Sequence, residues 1–153
     1  MSENEAVSTT QGRPRRDSPA PVSVSFAPTD LPAVRRLVDA HAHAAGMSRS
    51  RRQDAVLAVN EIASNAVRHG GGSGRLDLWF ATGWFWFRIA DRGVGLPPHT
   101  ALALPEPSRT NGRGLWIAAR VADRFTVDSG PAGTTATGAF AVPADRAEMA
   151  DVP

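Results

Sequence analysis

Apolar and polar positions repeat with two different periods along this chain, and each change of period marks an element. From Val22, VSVSFAP alternates residue by residue and ends in proline, the pattern of an edge strand. Val34, Leu37 and Val38 then recur at helical spacing behind Pro32, so a first helix is expected, capped by Thr29 or Asp30 and ending near Gly46. A second helix is expected from Ser48 through AVLAVNEIASNAVRH. There Val56, Val59, Ile62, Ala63, Ala66 and Val67 fall on one arc, and Gly70 is placed for a left-handed cap. RLDLWF, Arg75 to Phe80, and WFWFRIAD, Trp84 to Asp91, read as two strands joined by a short turn at Gly83. A Pro-rich loop runs from about Gly93 to Asn111, and GRGLWIAARVA gives a third helix. RFTVDS and TTATGAFAV give two closing strands around PAG. This order predicts an α+β two-layer sandwich, a mixed and mostly antiparallel sheet with helices on one face.

Strand parity assigns the faces of that sheet. Phe85, Phe87, Ile89 and Asp91 share one side of their strand, and Leu76, Leu78 and Phe80 share the matching side of the other. Trp84, Trp86, Arg88 and Trp79 are left on the open face. Three tryptophans on a face expected to meet water read in two ways: a partner or homodimer surface, or a face covered by the chain's own N-terminal tail or first strand.

Composition narrows the chemistry. The 153 residues, 42% of them hydrophobic, suit one domain: a disordered tail over 1–20, a folded domain over 21–143 and a short C-terminal tail over 144–153. All 17 basic residues are arginine. The absence of lysine excludes a P-loop, a lysine Schiff base and a kinase of the eukaryotic type, which needs a strand lysine. The absence of cysteine excludes disulfides, a thiolate nucleophile and cysteine-bound zinc. A net charge of only +2 makes no case for direct nucleic-acid binding. With no apolar run of membrane-spanning length and no signal-peptide pattern, a cytoplasmic protein without membrane attachment is expected.

Three short stretches carry candidate chemistry. Glu61, Asn65 and His69 lie four residues apart, about 40° from one to the next on a helix, and form a polar stripe opposite the core face. Taken alone, such a stripe is a solvated face. DRGVGLP, Asp91 to Pro97, leaves the end of an apolar strand; its acidic side chain can accept from an amino group at the bottom of a pocket, while Gly93 and Gly95 permit close approaches. Taken alone, it is an ordinary turn. NGRGLWIA, Asn111 to Ala118, opens a helix with two glycines, so free N–H groups and the helix dipole can face a phosphate. Taken alone, it is a tight helix entry. His41 and His43 point about 160° apart on their helix and are not joint metal ligands. His99, Ser108, Arg109 and Thr110 are read as loop residues.

In this order, Glu-x-x-x-Asn, Asp-x-Gly-x-Gly and Gly-x-Gly-Leu together resemble the GHKL ATPase superfamily, which includes gyrase, histidine kinases and mismatch-repair ATPases. EIASNAVRHG, DRGVGLP, GRGLWIAARVAD and the late GTT are similar to the bacterial anti-sigma factors, small serine-protein kinases. The resemblance covers about Val22 to Val142 and implies a stand-alone ATPase domain that takes ATP and Mg²⁺. It implies that Asn65 gives its amide oxygen to the metal and that Glu61 orients or deprotonates the attacking hydroxyl. Arg68 and His69 are placed near the phosphates, and Asp91 accepts from the adenine amino group. Gly93, Gly95 and Leu96 carry the chain under the base. Asn111, Gly112, Arg113, Gly114 and Leu115 close over the phosphates behind a lid, and Thr134 and Thr135 lie near adenine. The function so implied is an anti-sigma-type regulator that phosphorylates a serine or threonine of a small antagonist (anti-anti-sigma) protein and holds a partner such as a sigma factor. The alternative is a nucleotide-gated module that sequesters its partner without useful phosphoryl transfer.

Overall fold

The structure, a computed structural model, describes residues 19–95 and 113–143. Both tails, most of the expected lid, and with it Leu96, His99, Ser108, Arg109, Thr110, Asn111 and Gly112, lie outside the described residues. The elements are β1 (Val22–Phe26), α1 (Leu31–Ala44), α2 (Arg49–His69), β2 (Gly74–Ala81), β3 (Trp84–Ala90), α3 (Arg113–Val121), β4 (Arg124–Gly130) and β5 (Gly133–Ala141). A single 3-10 turn, Pro28–Asp30, leads into α1.

The sheet order is β1-β2-β3-β5-β4, and all four pairings are antiparallel. The expected mixed sheet is therefore antiparallel throughout. β4 runs in the direction of β3, but β5 lies between them, so no parallel pair forms. Leu76, Leu78, Phe85, Phe87, Ile89 and Phe140 are fully buried on one face. The Phe87 ring centroid lies 6.3 Å from that of Phe140 and 6.5 Å from that of Phe125. α2 lies across this face through Ala55, Ala58, Val59, Ile62, Ala63 and Ala66, all buried, with α1 and α3 packed along its two sides. Burying these aromatic and aliphatic side chains, at roughly 1.5–3 kcal/mol each, is the main force holding the layers together.

Helix ends explain where α1 and α2 begin and stop. Ser48 caps α2, its Oγ accepting from the Arg51 N–H at 3.3 Å. Asp30 precedes α1 but makes no side-chain cap there; its carboxylate accepts from the Ala27 N–H at 2.9 Å and closes the 3-10 turn instead. Gly70 ends α2 with φ −103°, outside the left-handed region, and the left-handed residues are Gly71 and Gly72, at φ 87° and 89°. The polar stripe also differs from expectation. The exposed positions of α2 are Arg49, Ser50, Gln53, Leu57, Arg68 and His69, with Leu57 at 40%, whereas Glu61 and Asn65 are half-buried beside the buried arc. Successive four-residue steps drift by about 40°, which carries the stripe round toward the sheet.

On the open face, Trp79 and Trp86 are cross-strand partners whose rings stack at 5.8 Å with planes 1° apart. Trp84 lies 6.5 Å from Trp86. Arg124 sits 4.1 Å above the Trp84 ring and Arg88 5.2 Å above the Trp79 ring. The three indoles are half-buried because they cover one another and because the two guanidinium groups cover the ends of the row. Among the described residues, no helix is long and apolar enough to cross a membrane.

Candidate functional site

Asp91 is the first residue beyond β3, and the parity of Ile89 turns it toward the helical layer. Its N–H donates to the Thr134 carbonyl at 2.9 Å. Its carboxylate Oδ1 accepts from the N–H groups of Gly93 at 3.0 Å and Thr134 at 3.2 Å. These bonds fix the carboxylate across two strand ends. No described residue donates to Oδ2, and among the described residues no buried side-chain oxygen is left without a partner, so Oδ2 reaches the space beside it. Gly70 backs this group closely: a Cβ there would stand 2.4 Å from Asp91 Cγ and 2.5 Å from Oδ2.

That space is a cleft between α2, α3 and the sheet. Six residues expected from the sequence line it: Asn65, His69, Asp91, Gly95, Leu115 and Thr134. Its remaining walls, Ile62, Ala66, Ile89 and Ala136, are apolar; the sequence pattern assigns the first three to buried faces and none of the four to a site. Parity supplies the missing signal for two of them, since Ile89 lies two residues before Asp91 on its strand and Ala136 two after Thr134. The result is a cleft with apolar walls and the Asp91 carboxylate at its sheet end.

At the other end α3 meets α2. A Cβ built on Gly114 would lie 3.0 Å from Asn65 Nδ2 and 3.1 Å from Glu61 Oε2, so the glycine lets the start of α3 rest directly on the polar stripe. The first turn of α3 therefore stands beside a carboxamide and a carboxylate.

Other expected residues stand apart. Glu61 is half-buried against Gly114 but does not line the cleft, and Arg68 and Arg113 are exposed outside it. Gly93 lies behind the cleft, where a Cβ would meet Gly70 Cα at 2.6 Å. Thr135 pairs with Ala90 and Asp128 and, by alternation with Thr134, points to the open face of the sheet.

The donor set suits a magnesium nucleotide. Apolar walls suit the faces of a base, and a carboxylate oxygen accepts from an exocyclic amino group. Among the described residues there is no group of three or more His, Cys, Asp or Glu that would cage a metal. One amide oxygen is enough for Mg²⁺, which keeps several waters and takes the rest of its ligands from phosphates.

A helical layer on an antiparallel sheet, with a carboxylate-edged apolar cleft at one end and a glycine-led helix start at the other, is the arrangement of the ATP-binding domains related to histidine kinases. The chain matches the histidine kinase-like ATPase domain family over residues 24–138 and belongs to it. Among solved structures it is similar to the RsbU and RsbW domains of Rv1364c from Mycobacterium tuberculosis, with TM-score 0.62 and 22% identity over 80% of this chain and 32% of that one. It is also similar to the histidine kinase domain of the blue-light activated histidine kinase from Erythrobacter litoralis EL346, with TM-score 0.53 and 19% identity over 80% of this chain and 66% of that one. At these identities the likeness is one of fold, and this chain spans only a part of each of the two. No curated protein matches it significantly.

Proposed function

We propose that this protein is an ATP-binding regulator of the anti-sigma type that transfers phosphate from ATP to a serine or threonine of a small antagonist protein. Family membership supports ATP binding, and the likeness to a structure containing an RsbW domain supports the subgroup. The observation that carries the reading is the seat of Gly114 on Asn65 and Glu61, because it puts a helix N-terminus, an amide oxygen and a carboxylate around one point.

Each residue then has a task. Asp91 Oδ2 reads the adenine amino group while Ile89, Ala136 and Leu115 hold the ring plane and exclude water. Asn65 would hold Mg²⁺ through its amide oxygen, and the first N–H groups of α3 would face the phosphates, where the helix dipole favours negative charge. Bound MgATP supplies the transferable phosphoryl group. Glu61 accepts the proton of the incoming serine or threonine hydroxyl, a role worth roughly two to four orders of magnitude in rate. His69, on the cleft, and Arg68, exposed at the end of α2, adjoin Gly70, which backs Asp91; from there they would reach toward the phosphates past Asn65, an arginine substituting electrostatically for the absent lysine. The same reading includes release of a held partner by the unphosphorylated antagonist, and self-association through the tryptophan face.

Glu61→Ala tests it. Calorimetry should show MgATP binding retained, and labelled-ATP assays with candidate antagonists should show transfer lower by about 10²- to 10⁴-fold. Undiminished transfer removes Glu61 from the mechanism, and a wild type that binds ATP but labels no antagonist favours the sequestering module.

A further inference from the structure

We infer that Arg51 is a positioning residue for the nucleotide site, acting from the far end of α3. This rests on the proposed ATP-dependent function. Arg51 lies in the first turn of α2 and makes four contacts at once. Its Nη1 donates to Asp54 Oδ2 at 2.7 Å and to the Val121 carbonyl at 3.2 Å. Its Nη2 donates to Asp123 Oδ2 at 2.9 Å, and its guanidinium carbon lies 5.0 Å from the centroid of the Phe140 ring. Asp123 Oδ2 also accepts from the Ala141 N–H at 2.8 Å. One guanidinium therefore joins the start of α2, the last carbonyl of α3, the α3–β4 turn and the end of β5.

As ion pairs these contacts contribute little. The side chains of Arg51, Asp54 and Asp123 are 32%, 33% and 42% exposed, and pairs so open to water have small net effects on stability. Their geometry matters more. α3 meets α2 at Val121, beside Arg51, and at Gly114, beside Glu61 and Asn65, so the two helices run antiparallel and are joined at two points. Ten residues of α2 separate Arg51 from Glu61, about 15 Å. α3 has only nine residues and behaves as a short rigid rod. Fixing one end fixes the tilt of the whole rod and so the seat of Gly114, where the fit to Asn65 and Glu61 is close. A forked, planar donor is needed to hold a carbonyl and two carboxylates together, and a lysine point charge does not replace it.

The base end of the cleft is built mainly from Asp91, Ile89 and Ala136, none of which touches this clasp, with Leu115 its contribution from α3. Loss of Arg51 should therefore weaken the phosphate end more than the base end. The test is calorimetry of wild type, Arg51→Ala, Arg51→Lys and Asp123→Asn with MgATP and, separately, with adenosine. Amide hydrogen exchange of Ile117 and Ala118, whose N–H groups close the first turns of α3, is measured alongside in the free proteins. We expect MgATP affinity to fall about tenfold or more in Arg51→Ala, with less recovery in Arg51→Lys than charge alone would give, since small misplacements at a reacting centre cost up to 10²-fold. Adenosine affinity should fall much less, since α3 gives the base end Leu115 while Asp91, Ile89 and Ala136 stay in place, and exchange at the start of α3 should rise. Asp123→Asn keeps an oxygen for the Ala141 N–H and should show the same pattern in milder form. Equal losses for MgATP and adenosine mean a general structural role and overturn the inference. So do unchanged MgATP affinity and unchanged exchange. A wild type that binds neither ligand overturns the ATP-binding reading itself, and with it the inference.

Discussion

Asn65 and Asp91 mark the two ends of the cleft, and in each a change of one group separates function from fold. Asn65→Ala removes an amide that borders the core without filling it, so the chain should stay folded by circular dichroism while Mg²⁺-dependent ATP binding is lost in calorimetry. Unchanged MgATP affinity would take the metal away from this helix. Asp91→Asn is sharper. Oδ1 accepts two backbone N–H groups, so an asparagine keeps its oxygen there and turns its NH₂ toward the cleft. An acceptor becomes a donor facing another donor, which should cost about 1–3 kcal/mol of ATP affinity and erase the preference over GTP. Tight, adenine-selective binding by the variant would reduce Asp91 to a turn former. At this scale the sequence announced the polar residues, because chemistry-bearing side chains stand out at fixed spacing. It did not announce Ile62 or Ala66 as walls of the site, because the same aliphatic side chains serve the core. The family resemblance places Thr134 and Thr135 together near adenine, but a strand sends adjacent side chains to opposite faces.

Elements were legible where a hydrophobic period ran unbroken. α2, β2, β3 and β5 fall within a residue or two of their expected bounds, because each buries an uninterrupted apolar face. What periodicity could not show was the contact between elements. Gly70 illustrates this. As a helix stop it called for a left-handed cap, yet its φ is −103° and the positive angles come one and two residues later. The requirement for glycine is set by a neighbour, since a Cβ would meet Asp91 Cγ at 2.4 Å and the Ala66 carbonyl oxygen at 2.7 Å. Gly70→Ala is allowed by its φ and ψ but forbidden by packing. It should destabilise the domain by roughly 1–3 kcal/mol in urea unfolding, as overpacking of a filled site does. It should also lower ATP affinity by displacing the Asp91 carboxylate. Stability equal to wild type would show that the α2 end and the Asp91 loop separate freely and that the base end of the cleft is not fixed by this contact.

For the whole molecule, the question is what the face away from the nucleotide does. Helices cover one side of the sheet, and the other carries Trp79, Trp84 and Trp86 in a row ended by Arg88 and Arg124. Parity alone was enough to place these residues, because a two-residue period leaves no other side for them. It could not show that the rings stack on one another, since that depends on cross-strand register, which pairs Trp79 with Trp86. Stacking withdraws much of the indole surface from water before any partner arrives. The face is therefore less sticky than three exposed tryptophans would be, but tryptophan and arginine remain the residues richest in binding energy at protein interfaces. If a second copy or a partner seats here, replacing Trp84 and Trp86 with serine should shift the assembly toward free monomer, as read by light scattering over a dilution series. ATP affinity should not change, because Phe85, Phe87 and Ile89 stand between these rings and the cleft. Should the wild type be monomeric at every concentration and the double variant unfold, the tryptophans serve the chain's own stability and the docking role is lost. A monomeric wild type with a stable variant would mean that the stacked row is only an exposed surface of the sheet.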